Sequence, residues 1–175
     1  MSTIKTTNLT HPSNSGTANI TLASDGTVAL ASQLGPVFYG KQDTNVSLPE
    51  DTPTKLINLG DDAINTSGWD ESTGTFTVPS GKGGIYFFTA GVGIDDLDAN
   101  KHVELYLYVN GSQVGPRAFT KADQGTDNYI HGCNGTWIRS LSAGDTVAVY
   151  ATQTDDDPSP VTLPNATWFG GFRIA

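Results

Sequence analysis

The sequence predicts an all-β protein, an antiparallel jelly-roll sandwich preceded by a short β-hairpin arm. The 20 glycines and 9 prolines, together with many Ser, Thr and Asn residues, favour turns and strands, and no helical stripe extends beyond two turns. Strand-like alternation recurs along residues 37–175, with turn residues between the segments. Residues 1–34 contain no aromatic side chain. We therefore expect one compact domain at 37–175 and a separate arm at 1–34.

The arm contains a predicted hairpin. Residues Ile20–Leu22 and 27–30 read as two short strands around the turn Ser24-Asp25-Gly26. A hairpin of this size is not stable alone. The arm must therefore pair with another chain, with copies of itself or with a docking surface, unless it remains an unstructured tail.

Ten strands are predicted in the larger domain. They lie at 37–40, 54–59, 63–65, 75–78, 85–94, 102–109, 113–114, 129–141, 146–153 and 167–174. The strand at 102–109 alternates, with Val103, Leu105, Leu107 and Val109 facing inward and His102, Glu104, Tyr106 and Tyr108 facing outward.

The strand at 85–94 has apolar residues on both faces. One face carries Tyr86, Phe88, Ala90, Val92 and Ile94, and the other carries Ile85, Phe87 and Thr89. A strand that is apolar on both faces is covered on both. We expect one face to cover the domain core and the other to meet a neighbouring subunit.

Four spaced motifs carry a resemblance to a known family. The first is a Gly-x-Phe-x-Val-Pro turn before an aromatic strand, formed by Gly74, Phe76, Val78 and Pro79 ahead of Tyr86, Phe87 and Phe88. The others are the hairpin Asn110-Gly111, the turn of Leu141, Gly144 and Asp145, and the closing strand with Phe169 and Gly171. In this order they resemble the complement globular-head domain of the tumour-necrosis-factor-like jelly rolls, over residues 37–175.

The resemblance implies a homotrimer, because that family trimerises through aromatic-rich inner sheets. It implies a trimer interface formed by Tyr86, Phe88, Trp137 and Phe169. The chain departs from the animal members in having no collagen-like stalk. Its arm instead resembles the N-terminal segments of virion and fibre proteins of tailed phages, in the motifs His11-Pro12-Ser13, residues 16–20 and Asp25-Gly26.

Charge and composition exclude several classes of function. The formal net charge is −9, without a Lys/Arg cluster, so nucleic acid is not an expected partner. No apolar run reaches membrane-spanning length, and no apolar signal segment follows Met1, so we expect synthesis in the cytoplasm and no membrane partner. Cys133 is the only cysteine and is predicted to be a buried structural thiol.

No pattern indicates an enzyme. His11, His102 and His131 have no metal-ligand spacing, and neither a nucleophile elbow nor a phosphate-binding loop is present. A paired-carboxylate hydrolase is possible in any acidic protein, but no motif selects one here. We expect no catalytic residues.

Acidic clusters and exposed aromatic residues are the candidate binding groups. Asp95, Asp96 and Asp98 follow the aromatic strand, and Asp155–Asp157 precede Pro158. Clustered carboxylates on turns suit calcium, and the alternative is that both clusters are solvated loop acids. The candidate calcium ligands are Asp95, Asp96 and Asp98. Candidate ligand-binding aromatics are Trp69, Tyr106, Tyr108 and Tyr129, which stack on sugars or anchor proteins. No cofactor other than calcium is expected.

These features together predict a non-enzymatic, trimeric decoration or cement protein on the surface of a phage particle. The arm would dock on the major capsid protein or on a tail protein, and the jelly roll would project outward. Two alternatives stay open. The chain is otherwise the receptor-binding knob of a tail fibre that recognises host polysaccharide, or a bacterial lectin-like module.

Overall fold

The computed structural model describes residues 8–9, 20–22, 28–30, 35–95, 97–122, 130–156 and 162–175. The chain divides into two compact units, Met1–Gly35 and Pro36–Ile174, which are described separately below. Within these described residues, the regular structure is β-strand apart from one turn of 3-10 helix at Pro164–Ala166. The predicted all-β class is confirmed.

The N-terminal unit contains a three-stranded antiparallel sheet. Its strands are β1 (Asn8–Leu9), β2 (Ile20–Leu22) and β3 (Val28–Leu30), in the spatial order β1-β2-β3. The predicted hairpin is confirmed in its strands, since Ile20 pairs with Leu30 and Leu22 with Val28. Its turn at Ser24–Gly26 lies outside the described residues.

The larger unit is built from two antiparallel sheets. The first contains β4 (Val37–Lys41), β6 (Asp61–Asn65), β9 (Gly84–Ile94), β12 (His131–Leu141) and β14 (Trp168–Arg173), in the order β12-β9-β14-β4-β6. We call it the long-stranded sheet. The opposite sheet contains β5 (Thr54–Lys55), β7 (Trp69–Asp70), β8 (Thr75–Thr77), β10 (His102–Val109), β11 (Ser112–Lys121) and β13 (Thr146–Gln153). Its order is β11-β10-β13-β8-β7, and β5 also pairs with β13.

Strand β9 organises the long-stranded sheet. It pairs along all eleven residues with β12 on one side, and along residues 86–91 with β14 on the other. Side chains on successive residues point to opposite faces, and the burial of Tyr86, Phe88 and Ala90 at 0% exposure shows that this set faces the core. Ile85, at 43% exposure, lies on the other face.

The core between the two sheets is dominated by aromatic rings. The ring centroid of Phe38 lies 4.6 Å from that of Phe76 and 4.7 Å from that of Trp69, both in stacked geometry. Phe169 meets Phe38 edge-on at 5.1 Å. Aromatic side chains bury the largest apolar areas of any residue type, so this cluster supplies much of the force that holds the sheets together.

The strand predictions succeed where apolar alternation is regular and fail at the edges. Strands β10 and β13 have the predicted bounds. The predicted strand 54–59 ends at Lys55, and Asn58, within its predicted second half, adopts a left-handed backbone (φ 57°) that a strand does not have. Strand β11 runs to Lys121 rather than ending at Val114, with an irregular register where Gly115 takes a φ of 74°.

We predict that Phe38→Ala lowers the free energy of unfolding by about 3–5 kcal/mol, because it empties a buried ring position in the core. The matched control is Phe119→Ala, the same chemical change at a side chain that is 66% exposed, which should cost less than about 1 kcal/mol. Chemical denaturation of both variants measures this. Equal losses would show that the aromatic cluster is not the centre of stability.

Candidate functional site

The outer face of the long-stranded sheet, turned away from the core, carries a continuous row of apolar side chains. Strand pairing places Ile138 opposite Phe87, Phe87 opposite Phe172, and Phe172 opposite Val37. The rings of Phe87 and Phe172 lie 5.3 Å apart. Ile138, Phe172 and Val37 are 59%, 45% and 40% exposed. Four strands therefore present one apolar row to the surroundings.

Two isoleucines widen this row. The backbone N–H of Ile174 donates to the carbonyl oxygen of Ile85 at 2.7 Å, just beyond the end of β14. Both side chains are exposed, at 43% for Ile85 and 53% for Ile174. We call the whole patch the assembly face, and its residues are Val37, Ile85, Phe87, Ile138, Phe172 and Ile174.

Glycines let aromatic rings approach the sheet closely beside the assembly face. A Cβ at Gly91 would lie 2.5 Å from the indole nitrogen of Trp168, so that ring lies against the bare backbone. A Cβ at Gly170 would likewise lie 3.1 Å from the ring of Tyr39. The two rings are 6.2 Å apart. The absence of side chains at these glycines lets broad rings lie close to the sheet beside the assembly face.

Charge is scarce on this face. Two rows of paired residues cross this face, one from Ile138 to Val37 and one that begins at Asn134 and passes through Trp168. The first charged residues along them are Lys41 and Asp61, at the edge of the sheet. Those two form an ion pair with 2.8 Å between Nζ and Oδ2. The chain as a whole carries a formal net charge of −9. An uncharged apolar patch with a polar rim is the composition of a protein–protein interface.

The residues predicted for the trimer interface lie elsewhere, and that assignment is corrected. Tyr86, Phe88 and Phe169 are 0% exposed and Trp137 is 4% exposed within a single chain. They pack between the sheets, with Tyr86 and Phe88 stacked at 5.9 Å. These side chains therefore have no surface left to offer another subunit. Their neighbours of opposite parity in the strands form the outer face instead.

Trp69 is also corrected, from an exposed ligand-binding residue to a core residue. Its side chain is 6% exposed, and its ring meets that of Phe169 at 5.7 Å in addition to stacking on Phe38. It belongs to the short strand β7, which sequence analysis did not predict. Because β7 pairs with β8, the indole lies between the two sheets.

Tyr106 and Tyr108 lie on the opposite sheet and are half-buried. The ring of Tyr108 lies 4.1 Å from that of Tyr150 on the neighbouring strand. Burial, and then a hydrogen bond to Glu104, raises the pKa of the Tyr106 hydroxyl. Glu104 was expected to face solvent and is 7% exposed instead, because other side chains cover it. Tyr129 lies outside the described residues.

The two acidic clusters meet in the structure. The backbone N–H of Asp98 donates to a carboxylate oxygen of the buried Asp155 at 2.6 Å. Lys101 pairs with Asp156, with 2.6 Å between Nζ and Oδ1. Asp155 therefore ties two loops together. No group of three potential metal ligands is found among the described residues, which do not include Asp96, so calcium binding by Asp95, Asp96 and Asp98 stays a prediction.

The fold is shared with jelly-roll domains of known structure. The globular domain of the zebrafish complement 1qA protein matches 80% of this chain and 98% of its own, with a TM-score of 0.53 and 17% identity. Murine APRIL matches 80% of this chain and 99% of its own, with a TM-score of 0.53 and 14% identity. Eiger TNF from S. frugiperda matches 81% and 92%, with a TM-score of 0.52 and 16% identity.

The chain has the jelly-roll fold of the complement 1q and TNF domains. At these identities the likeness establishes the fold. No family model matches the chain, and no curated protein matches it. In the part of the chain that the structure describes, no helix is long and apolar enough to cross a membrane.

Cys133 is a buried thiol that faces the core from β12. Burial, and to a smaller extent the negative charge of Glu104, raises its pKa to about 12. The thiol is therefore protonated at neutral pH and is a poor nucleophile.

We predict that a thiol reagent at pH 8 labels Cys133 only when the protein unfolds, because both access and the thiolate form are suppressed. The Ser112→Cys variant, which adds a thiol at an exposed position of β11, should label one thiol at once and the second only in denaturant. Absorbance of the released chromophore follows both. Labelling of native Cys133 at the rate of the added thiol would contradict the burial described here.

Proposed function

We propose that the chain is a non-enzymatic structural protein that assembles as a homotrimer through the assembly face, and that it decorates the surface of a phage particle. One observation supports the assembly most strongly, namely the row that runs from Ile138 to Val37 across four strands. An acidic protein that leaves such a row uncovered would tend to aggregate. Covering it with copies of the same chain removes that tendency.

The energetics favour a shared interface. Each side chain of the assembly face is about half covered already, so completing its burial contributes about 1 kcal/mol. Six side chains per copy, together with the rings of Tyr39 and Trp168 beside them, give a contribution comparable to the lower estimates of the cost of association. Closed symmetry repeats that interface in every subunit.

The number three follows from the resemblance of the chain to the complement and TNF jelly rolls, which implies a trimer. The same resemblance, with the absence of any catalytic motif, supports a binding or structural role over an enzymatic one. The protonated thiol of Cys133 agrees with this.

The arm supports the proposed place on a virion. It forms a compact unit separate from the jelly roll, and its sequence resembles the N-terminal segments of virion proteins. A trimer carries three arms, and three linked attachments bind far more tightly than one. The arm would thus dock on a capsid or tail protein while the jelly roll projects outward.

We predict that the wild-type chain sediments as a trimer at micromolar concentration and that Phe172→Glu sediments as a monomer, because a carboxylate cannot be buried unpaired in an apolar contact. The matched control is Phe119→Glu, the same change at an exposed phenylalanine of the opposite sheet. It should remain trimeric. Circular dichroism confirms that both variants are folded.

Three results would contradict the proposed assembly. A monomeric wild type would remove the trimer. A Phe172→Glu variant that remains trimeric, or a Phe119→Glu variant that dissociates equally, would place the interface elsewhere.

We further predict that the full chain binds particles stripped of it and that a chain lacking residues 2–34 does not, although it still forms a trimer. Co-sedimentation with the particles measures binding. If the truncated chain binds equally, the docking role of the arm is wrong. If neither binds particles and the purified trimer instead binds host cells and blocks infection, the protein is a receptor-binding knob.

A further inference from the structure

A pocket of about 200 Å³ lies on the outer face of the opposite sheet, between β10 and β11. Its described lining residues are His102, Glu104, Arg117, Phe119 and Lys121. Strand pairing puts His102 opposite Lys121 and Glu104 opposite Phe119. The pocket therefore lies on rigid strands, and it belongs to a different sheet from the assembly face.

A buried carboxylate forms the floor of this pocket. The side chain of Glu104 is 9% exposed, and its Oε1 lies 2.9 Å from Nη1 of Arg117 and 3.5 Å from Nε2 of His102. Its Oε2 accepts hydrogen bonds from the Tyr106 hydroxyl and, at 3.2 Å, from Arg117. The Thr152 hydroxyl in turn donates to the Tyr106 oxygen at 3.2 Å. A carboxylate held in this way fixes the position of the guanidinium above it.

The open side of the pocket is basic. The Arg117 side chain is 59% exposed although it pairs with Glu104. Lys121 forms no ion pair with any residue that the structure describes. Among the described lining residues, these two cations outweigh the one carboxylate by one charge, in a chain whose formal net charge is −9. A local excess of positive charge in an acidic protein selects an anionic ligand.

Phe119 adds an apolar platform beside the cations. Its side chain is 66% exposed, the highest value among the exposed large apolar side chains in the described residues. An exposed ring next to a guanidinium and an ammonium matches a ligand with one flat apolar face and one carboxylate. Acidic sugars have both, because the C–H face of the pyranose packs on aromatic rings and the carboxylate pairs with Arg and Lys.

We propose that this pocket binds an acidic sugar residue, a uronate or a sialate. Its carboxylate pairs with Lys121 and the exposed edge of Arg117, and its ring packs on Phe119. Glu104, Tyr106 and Thr152 are positioning residues that hold Arg117 in place. The binding site stands whether or not the assembly face forms a trimer, since the two lie on different sheets.

The test uses the full chain and pairs of probes that differ only in charge. Trigalacturonate is compared with its methyl ester, and sialyllactose with lactose, by calorimetric titration. Sedimentation of the same samples reports the oligomeric state, so that loss of binding is distinguished from loss of assembly. We expect at least one acidic probe to bind, with an affinity at least tenfold above that of its neutral counterpart.

Substitutions assign the binding to the pocket. Lys121→Ala should weaken binding about tenfold, the size of one charge-assisted hydrogen bond, while Lys121→Arg retains it. The control Lys41→Ala removes the same charge from the other sheet and should have no effect. Phe119→Ala should weaken binding, and the control Ile64→Ala, at an exposed apolar side chain of β6, should not.

Arg117 is tested together with its partner, because removing it alone leaves a buried carboxylate unpaired. The double variant Glu104→Gln with Arg117→Ala should fold and lose binding, whereas Glu104→Gln alone should keep it more weakly.

Three results would overturn the binding site itself. They are no binding of either acidic probe, equal binding of acidic and neutral probes, or equal losses in Lys121→Ala and Lys41→Ala. Inorganic phosphate that displaces the sugar at equal concentration would show a simple anion site and also overturn the sugar assignment.

Discussion

Packing of aromatic rings between the two sheets is the interaction on which the rest of this structure depends. Phe38 lies at its centre, stacked on Phe76 and Trp69 and met edge-on by Phe169. Because successive side chains of a strand point to opposite faces, the sequence neighbours of these inward-facing rings point outward. The core therefore decides where the assembly face and the pocket lie, because both consist of side chains that the core leaves out.

Close approach of backbones makes this packing possible and limits it. A Cβ at Gly171 would lie 2.6 Å from the ring of Phe88, and one at Gly40 would lie 1.9 Å from the carbonyl oxygen of Leu59. Any larger residue would force the rings or the backbone to move. On the outer face, the absence of a side chain at Gly91 likewise lets the ring of Trp168 lie against the backbone. Glycine in this sheet thus permits close packing both in the core and on the outer face.

Sequence reasoning predicted the regularly alternating strands, but it missed β7, most of β11 and the arrangement of the site. Regular alternation predicted β10 and β13 to the residue, and the spaced turn motifs predicted the jelly roll that the solved structures share. Strand β9 is apolar on both faces, and its pattern alone does not say which face is the core. The family resemblance implied that Tyr86 and Phe88 meet another subunit, but both are 0% exposed in the core, and Ile85 lies on the outer face instead. Alternation along β10 predicted that Glu104 faces solvent. Its burial comes from side chains on adjacent strands, and no local sequence pattern records such a contact.

The central claim is that copies of this chain cover the outer face of the long-stranded sheet. Hydroxyl-radical footprinting with mass spectrometry tests it directly in the unmodified protein, with Phe119 as an internal reference. In a single chain Phe172 is 45% exposed and Phe119 is 66% exposed, so their oxidation rates would be similar. The account predicts that Phe172 is protected severalfold relative to Phe119. Oxidation of Phe172 at a rate close to that of Phe119 would contradict it.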